Sequence, residues 1–255
     1  MATDGDAPAA ELIEGIDGAL YGTATHGGVN NGGTVFKLFP DGSDFTVLRS
    51  FVLGGGTGGD HPFAALLQAS DGALYGTTLY GGAGAGGTVF KLPADGSSFT
   101  VLHSFTAGSA TDGANSFAKL IEGSDGNLYG ITSLGGASDA GTVFKLAPDG
   151  SGFAIVHNFT GGDDGYGPYG GLAQASDGTL YGTTTILGAN GGGTIFQVFP
   201  DGTGFSVLHS FAGGDSDGSI PYGRLIQASD GNFFGTTTVG GNGNHGTLFR
   251  LNIGR

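Results

Sequence analysis

Five times in 255 residues the chain returns to one pattern: "IDGALYGTATHGGVNNGGTVFKL", "SDGALYGTTLYGGAGAGGTVFKL", "SDGNLYGITSLGGASDAGTVFKL", "SDGTLYGTTTILGANGGGTIFQV" and "SDGNFFGTTTVGGNGNHGTLFRL". Aligned on the aromatic of "LYG", the copies centre on Tyr21, Tyr75, Tyr129, Tyr181 and Phe234, with spacings of 54, 54, 52 and 53 residues. A period of this size means one supersecondary unit per copy, each unable to bury its apolar face alone, so neighbouring units must stack to make a core. Glycine is abundant, at 57 residues, and without periodic apolar residues that would suggest low complexity. With 19 Phe and 8 Tyr arriving at a fixed interval, the glycines instead punctuate short strands.

Four strand-like runs occupy the second copy. They are the stretch around Leu66, Leu67 and Gln68; Leu74 to Thr78; Thr88 to Leu92; and Phe99 to Phe105. Each is rich in β-branched and aromatic residues and bounded by turn formers. Asp-Gly separates the first pair at Asp71-Gly72 and the last pair at Asp95-Gly96, a strong hairpin signal because tight hairpins need positive φ. The stretch from Phe105 to Leu120 is too long for a hairpin and suits a crossing to the next unit. In "TVFKL" both faces of the strand carry bulk, as a sheet packed between two neighbours requires. These features predict an all-β chain: a five-bladed β-propeller of about 53-residue repeats. A parallel β-helix would need shorter coils. The expected blades are 11–51, 65–105, 119–159, 171–211 and 224–251, in a single domain covering 1–255. The fourth strand recurs at Phe45 to Phe51, Phe99 to Phe105, Phe153 to Phe159 and Phe205 to Phe211, but none follows Leu251. The last blade is therefore expected to have three strands and an open edge, a pairing liability unless covered.

The recurring order "SDGALYGTT", "GGTVFKL", "DGSSFTVLHSF" resembles the GloVer tandem repeat of cyanobacterial and verrucomicrobial proteins across nearly the whole chain. More distantly it is similar to the blades of two-component-regulator propellers. The resemblance implies a bacterial protein that is secreted or held at the cell surface, and supplies no catalytic residues to carry over. The C-terminal sorting segment frequent in such proteins is not matched by any stretch of this sequence.

Eight Lys and Arg against 22 Asp and Glu give a net charge of -14, which repels phosphate backbones and anionic lipid, so nucleic acid is not expected as a partner. No apolar run is long enough to span a bilayer, and "MATDGDAPAA" does not read as a signal peptide. The absence of cysteine excludes disulfides and thiolate chemistry.

Alternating strand direction puts the near-invariant "SDG" and "PDGS" turns at one end of the blades. The variable loops between second and third strands lie at the other, with the crossings. The variable end is the candidate binding face. It carries His26 and Asn30 in the first copy, Asp60, His61 and Tyr80 around the second, and Asp112 before the third. Farther on come Asp163, Asp164, Tyr166 and Tyr169, then Asp215, Asp217 and Tyr222, and in the last copy Asn244 and His245. Asp, Asn and His hydrogen-bond hydroxyls and Tyr offers a flat apolar surface with a polar tip, a palette suited to a glycan or another cell-surface ligand. The bland reading of the same residues is a solvated loop surface built from turn formers.

No cofactor is expected. The clustered aspartates of "GGDDGYG" and "GGDSDGS" match no full calcium-loop spacing and would at most hold calcium weakly. The pair His26 and His245 lacks a nameable third metal ligand. His103, His157 and His209, with Arg49 in the same repeat position, read as packing residues, and the turn aspartates Asp71, Asp125, Asp177 and Asp230 as Asx-turn formers. Charge asymmetry concentrates on the first strand, at Glu11, Glu14, Lys119, Glu122 and Arg224. Those groups either brace the ring or serve a polysaccharide hydrolase or lyase as acid and base. The expectation is a monomeric, non-catalytic, extracellular binding propeller, with the enzyme and a structural repeat module of a larger surface protein as alternatives.

Overall fold

The computed structural model describes residues 3–54 and 56–253. Among them there is no α-helix, only two single-turn 3-10 segments at Gly56–Gly58 and Asn242–Asn244. The chain divides into two compact units, one made of residues 1–107, 114–128 and 146–153, the other of 108–113, 129–145 and 154–255.

Four antiparallel sheets have four strands each in sequential order. The first comprises Ile13–Glu14, Leu20–Ala24, Asn31–Leu38 and Thr46–Val52; the second Leu67–Gln68, Leu74–Thr78, Ala85–Leu92 and Thr100–Thr106. The third comprises Ile121–Glu122, Leu128–Thr132, Thr142–Leu146 and Ala154–Asn158; the fourth Ala173–Gln174, Leu180–Thr184, Thr194–Val198 and Ser206–Ser210. The fifth sheet has three strands, Ile226–Gln227, Phe233–Thr236 and Leu248–Leu251, as the missing fourth motif predicts. The first strand of every sheet is two residues long, and the leucine just before it is buried in four of the five sheets, at Leu66, Leu120, Leu172 and Leu225.

Between third and fourth strands all four sheets share one register slip, at Val35/Phe36, Val89/Phe90, Val143/Phe144 and Ile195/Phe196, and the first two sheets have a second at Asn31/Thr34 and Ala85/Thr88. The shared slip leaves Leu48, Leu102, Val156 and Leu208 as the extra residues of β-bulges, which sharpen the local twist. Strict alternation along "FTVLHSF" therefore does not persist through the strand.

The core lies between consecutive sheets. In the first unit Val35 and Phe51 of one sheet pack with Leu66, Leu74, Phe90 and Leu92 of the next. In the second, Ile195 and Phe211 pack with Leu225 and Phe233. The repeated glycine at Gly22, Gly76, Gly182 and Gly235 is needed because a phenylalanine ring lies on it: a Cβ at Gly76 would approach the Phe90 ring within clashing distance. Beside it, a threonine pair joins second and third strands by a buried hydroxyl contact in three sheets, Thr78–Thr88 at 2.9 Å and Thr132–Thr142 and Thr184–Thr194 at 2.8 Å, and a part-buried pair, Thr237–Thr247 at 2.9 Å, adjoins the same strands of the fifth.

The invariant turns are as polar residues at tight turns dictate. Asp17, Asp71, Asp125, Asp177 and Asp230 each accept the backbone N–H two residues on, at 3.0 to 3.2 Å. The other carboxylate oxygen has a second task that the repeat does not advertise. Asp17 Oδ2 accepts from the Tyr21 hydroxyl at 2.8 Å and from Lys37 Nζ at 2.7 Å, and Asp71 repeats this with Tyr75 and Lys91 at the same distances. The Lys37 hydrogen bond, helped by Tyr21 and the Ala19 N–H against a cost of burial, lowers the Asp17 pKa to about 2. A carboxylate depressed in the folded state stabilises it above the unfolded value near 4, and that contribution is lost as pH falls through about 2. Asp17→Asn is accordingly expected to lower the melting temperature at pH 7, with the gap to the parent closing between about pH 4 and pH 2. A gap independent of pH would mean that the charge is not what Asp17 contributes.

Candidate functional site

The variable end is assembled by pairing that sequence reading had treated as plain crossing. Each crossing runs antiparallel to the second-to-third-strand loop that follows it: Asp6 opposite His26, Asp60 opposite Tyr80, Tyr166 opposite Ile186, and Gly218–Ser219 opposite Val239–Gly240. The residue that turns each crossing toward its sheet sits in the left-handed region, at Ala7, His61, Asn115, Gly167 and Ile220, with φ between 55 and 63°. Recurrence in all five copies makes this conformation a property of the scaffold, not a strain peculiar to His61.

Four of the residues singled out from sequence meet in the first unit. Asp60 is buried, at 3% exposure, and its carboxylate lies 2.6 Å from Nδ1 of His61. With Asp60 ionised, the imidazole donates from Nδ1, which fixes the ring and presents Nε2. The His61 ring stands edge-on to His26 at 4.7 Å and to Tyr80 at 5.4 Å between centroids. His26 is exposed and Tyr80 is 48% exposed, so this aromatic corner opens to solvent above a buried carboxylate. Asn30 is exposed on the neighbouring loop.

In the second unit the tyrosines come together. Tyr169 and Tyr222 stack at 5.3 Å with their planes 13° apart, and Tyr222 is 49% exposed. Burial of part of the ring, with the neighbouring Tyr169 phenol, pushes the Tyr222 pKa up, so its hydroxyl stays a donor at neutral pH. Burial, with Asp139 and Tyr169 nearby, does the same for Tyr166.

Tyr169 and Tyr222 follow the prolines Pro168 and Pro221; Phe63 after Pro62 and Phe117 after Ser116 hold the same repeat position and meet edge to face at 5.5 Å in the first unit. These two phenylalanines were missed. The signal was present in "HPF", "NSF", "GPY" and "IPY", but the crossings had been read for polar residues.

Other expected ligand residues are bound to the protein itself. Asp164 accepts from the backbone N–H and hydroxyl of Thr160 and lies 3.4 Å from Nε2 of His157, while Asp217 lies 3.1 Å from Nε2 of His209 and accepts from Ala212 and Gly218 N–H groups. Asp112, nearly buried, accepts from Gly113 N–H, and Asn244 from Gly240 N–H. Asp163, Asp215 and His245 are exposed. Among the described residues no three His, Asp or Glu side chains converge as metal ligands would.

Three of the five charged residues, Glu122, Lys119 and Glu11, have side-chain partners in the fold. Glu122 accepts from the backbone N–H and hydroxyl of Ser70, in the turn of the preceding copy, and Gln68 accepts from Ile16 N–H in the same way at 2.8 Å. Lys119 Nζ approaches Glu11 at 3.4 Å. Glu14 and Arg224 are exposed.

Sequentially ordered antiparallel sheets with a core between consecutive sheets define an all-β, propeller-like repeat protein. The family model for the Gloeobacter/Verrucomicrobia repeat matches residues 1–122 and 107–255, and the chain belongs to that family. No curated protein matches it. Among solved structures it is similar to the nidogen/laminin complex, at 15% identity over 90% of this chain and 72% of the other, with a TM-score of 0.56. It is similar to the extracellular domain of a one-component system from B. thetaiotaomicron, at 12% identity and TM-score 0.61, matching 96% of this chain but 27% of that one. A third likeness, at 18% identity and TM-score 0.59, is to a gluconolactonase of Xanthomonas campestris, over 98% of this chain and 77% of that one. Likeness at these identities is one of fold. No described helix is long and apolar enough to cross a membrane.

Proposed function

We propose that the protein is an extracellular, monomeric, non-catalytic five-bladed propeller that binds carbohydrate through its variable loop end without a cofactor. The observation that carries this reading is the stacked pair Tyr169 and Tyr222, a partly exposed aromatic surface with phenol donors at its rim. A pyranose face laid on such a ring gains apolar contact while its hydroxyls meet the tips and neighbouring loop donors. The His26, His61 and Tyr80 corner would offer a second, smaller surface of the same kind, and several weak sites add through avidity. The bonds from Ser70 to Glu122 support a bracing role for the first-strand charges over an acid–base one.

Titration calorimetry against plant, algal and bacterial polysaccharides tests the proposal. Tyr222→Ala is expected to weaken binding about tenfold, equivalent to about 1.4 kcal/mol. Asp95→Asn, in an exposed turn at the opposite end of its sheet, is expected to leave affinity unchanged. No binding across the panel, or equal loss from both variants, would reject the site. Release of reducing ends or unsaturated products would replace binding with catalysis.

A further inference from the structure

Arg49 stands where the repeat elsewhere sets a fourth-strand histidine against a carboxylate, but its own carboxylate is missing. Four residues before Pro8, Ser116, Pro168 and Pro221 the crossing carries an aspartate, at Asp4, Asp112, Asp164 and Asp217; four before Pro62 stands Gly58. In the second unit that carboxylate meets the histidine: Asp164 lies 3.4 Å from Nε2 of His157, and Asp217 lies 3.1 Å from Nε2 of His209. In the first sheet the histidine position holds arginine, and the aspartate position holds the one residue without a side chain.

The guanidinium is held in place by rings, not by charge. It lies 4.1 Å from the centroid of Phe99 and 5.7 Å from that of Phe51. Among the described residues no carboxylate pairs with it, and its Nε is buried without a hydrogen-bond partner. A Cβ at Gly58 would stand 3.3 Å from its Nη2, so the crossing passes directly beside the cation. Arg49 is half-buried, and burial lowers its pKa, yet a guanidinium cannot shed its proton in a protein as a buried imidazole can. A shielded charge with no counter-charge is costly to keep, and this chain has 22 Asp and Glu from which to supply one.

We propose that Arg49 anchors a carboxylate-binding site, filled from outside by a uronic acid residue of an acidic polysaccharide. The second unit supplies the argument for a carboxylate, because that is the group Asp164 and Asp217 bring to the same repeat position. A guanidinium fork donates to both carboxylate oxygens at once, which an imidazole cannot do. That the carboxylate arrives on a sugar rests on the carbohydrate reading above; the site itself lies on other residues, in the other unit. From Gly58 to His61 the crossing spans at most about 11 Å, so a sugar chain held at Arg49 can run on to the rings of His61 and the exposed Tyr80. The net charge of -14 opposes a polyanion at long range, but beyond about 8 Å such repulsion is largely screened at physiological ionic strength.

Titration calorimetry with an oligogalacturonate, its fully methyl-esterified form and polyglutamate tests the site. The oligogalacturonate is expected to bind saturably, and the uncharged ester and Arg49→Gln each to lose about tenfold or more. Because Arg49 packs on Phe99, the deciding variant is Gly58→Asp, which supplies an internal carboxylate as the second unit does and should weaken binding by a similar factor. Gly58 does not have positive φ, so the variant should fold; equal melting temperatures verify this. Gly58→Ser, without the charge, should leave affinity unchanged. Equal binding of the ester, unchanged affinity in a folded Gly58→Asp, or no binding of the oligogalacturonate would overturn the proposal. Polyglutamate binding as tightly would overturn the assignment to a sugar. Loss from Tyr222→Ala but not from Gly58→Asp would overturn this site while leaving the tyrosine site standing, and the reverse pattern would support this site while rejecting that one.

Discussion

Phe90→Ala is expected to destabilise the protein by about 3 to 5 kcal/mol, since truncating a buried phenylalanine loses its transfer free energy and leaves a cavity. The site gives little scope for collapse. Phe90 has no exposed surface and is held between Phe51 of the preceding sheet at 5.5 Å and Phe99 of its own at 5.4 Å. Phe51 belongs to the strand Thr46–Val52 of the preceding sheet, so it cannot move into the void without disturbing that strand's pairing. Urea unfolding measures the effect. A loss under about 1 kcal/mol would mean that the space between these sheets is filled differently.

Gly87→Ala should be about as damaging, for a backbone reason. Gly87 has φ +94°, and a Cβ there would clash with the carbonyl oxygen of Thr78 across the ladder. Strain at such a dihedral costs about 1 to 3 kcal/mol and overpacking costs a similar amount, so about 3 kcal/mol or more is expected in sum. Gly33, Gly141, Gly193 and Gly246 occupy the same repeat position with φ from 86 to 98°. A control at Gly108, where a Cβ would meet nothing, separates the close approach from the dihedral alone. If Gly87→Ala were no worse than Gly108→Ala, the strands would be free to separate at this point. Circular dichroism melts of the two variants give the comparison.

Much of this was legible from residues. The period, the four runs in each copy, the Asx turns and the three-stranded last sheet all rest on local chemistry: Asp-Gly makes a turn wherever it stands between two apolar runs, and a missing motif is a missing strand. Less legible was the variable end. Tyr169 and Tyr222 were nameable as exposed aromatics, but their stacking depends on residues 53 apart arriving at adjacent crossings. Asp164 and Asp217 were nameable as hydrogen-bonding loop residues, but their contacts with His157 and His209 are made only in the fold.

By itself, then, the sequence determined what repetition and local stereochemistry can determine: strand, turn, order of elements and the place where the order breaks. Tertiary structure decided everything that takes two copies. The stacking of His157 on Phe205 and the tie from Ser70 to Glu122 each join residues roughly 50 positions apart, and no residue type announces its partner at that range. The physical reason is that a repeat unit has an unfinished surface on either side. Its own chemistry states what that surface offers, but only the neighbour's arrival, or absence, settles whether a histidine ring is covered by phenylalanine or left facing water.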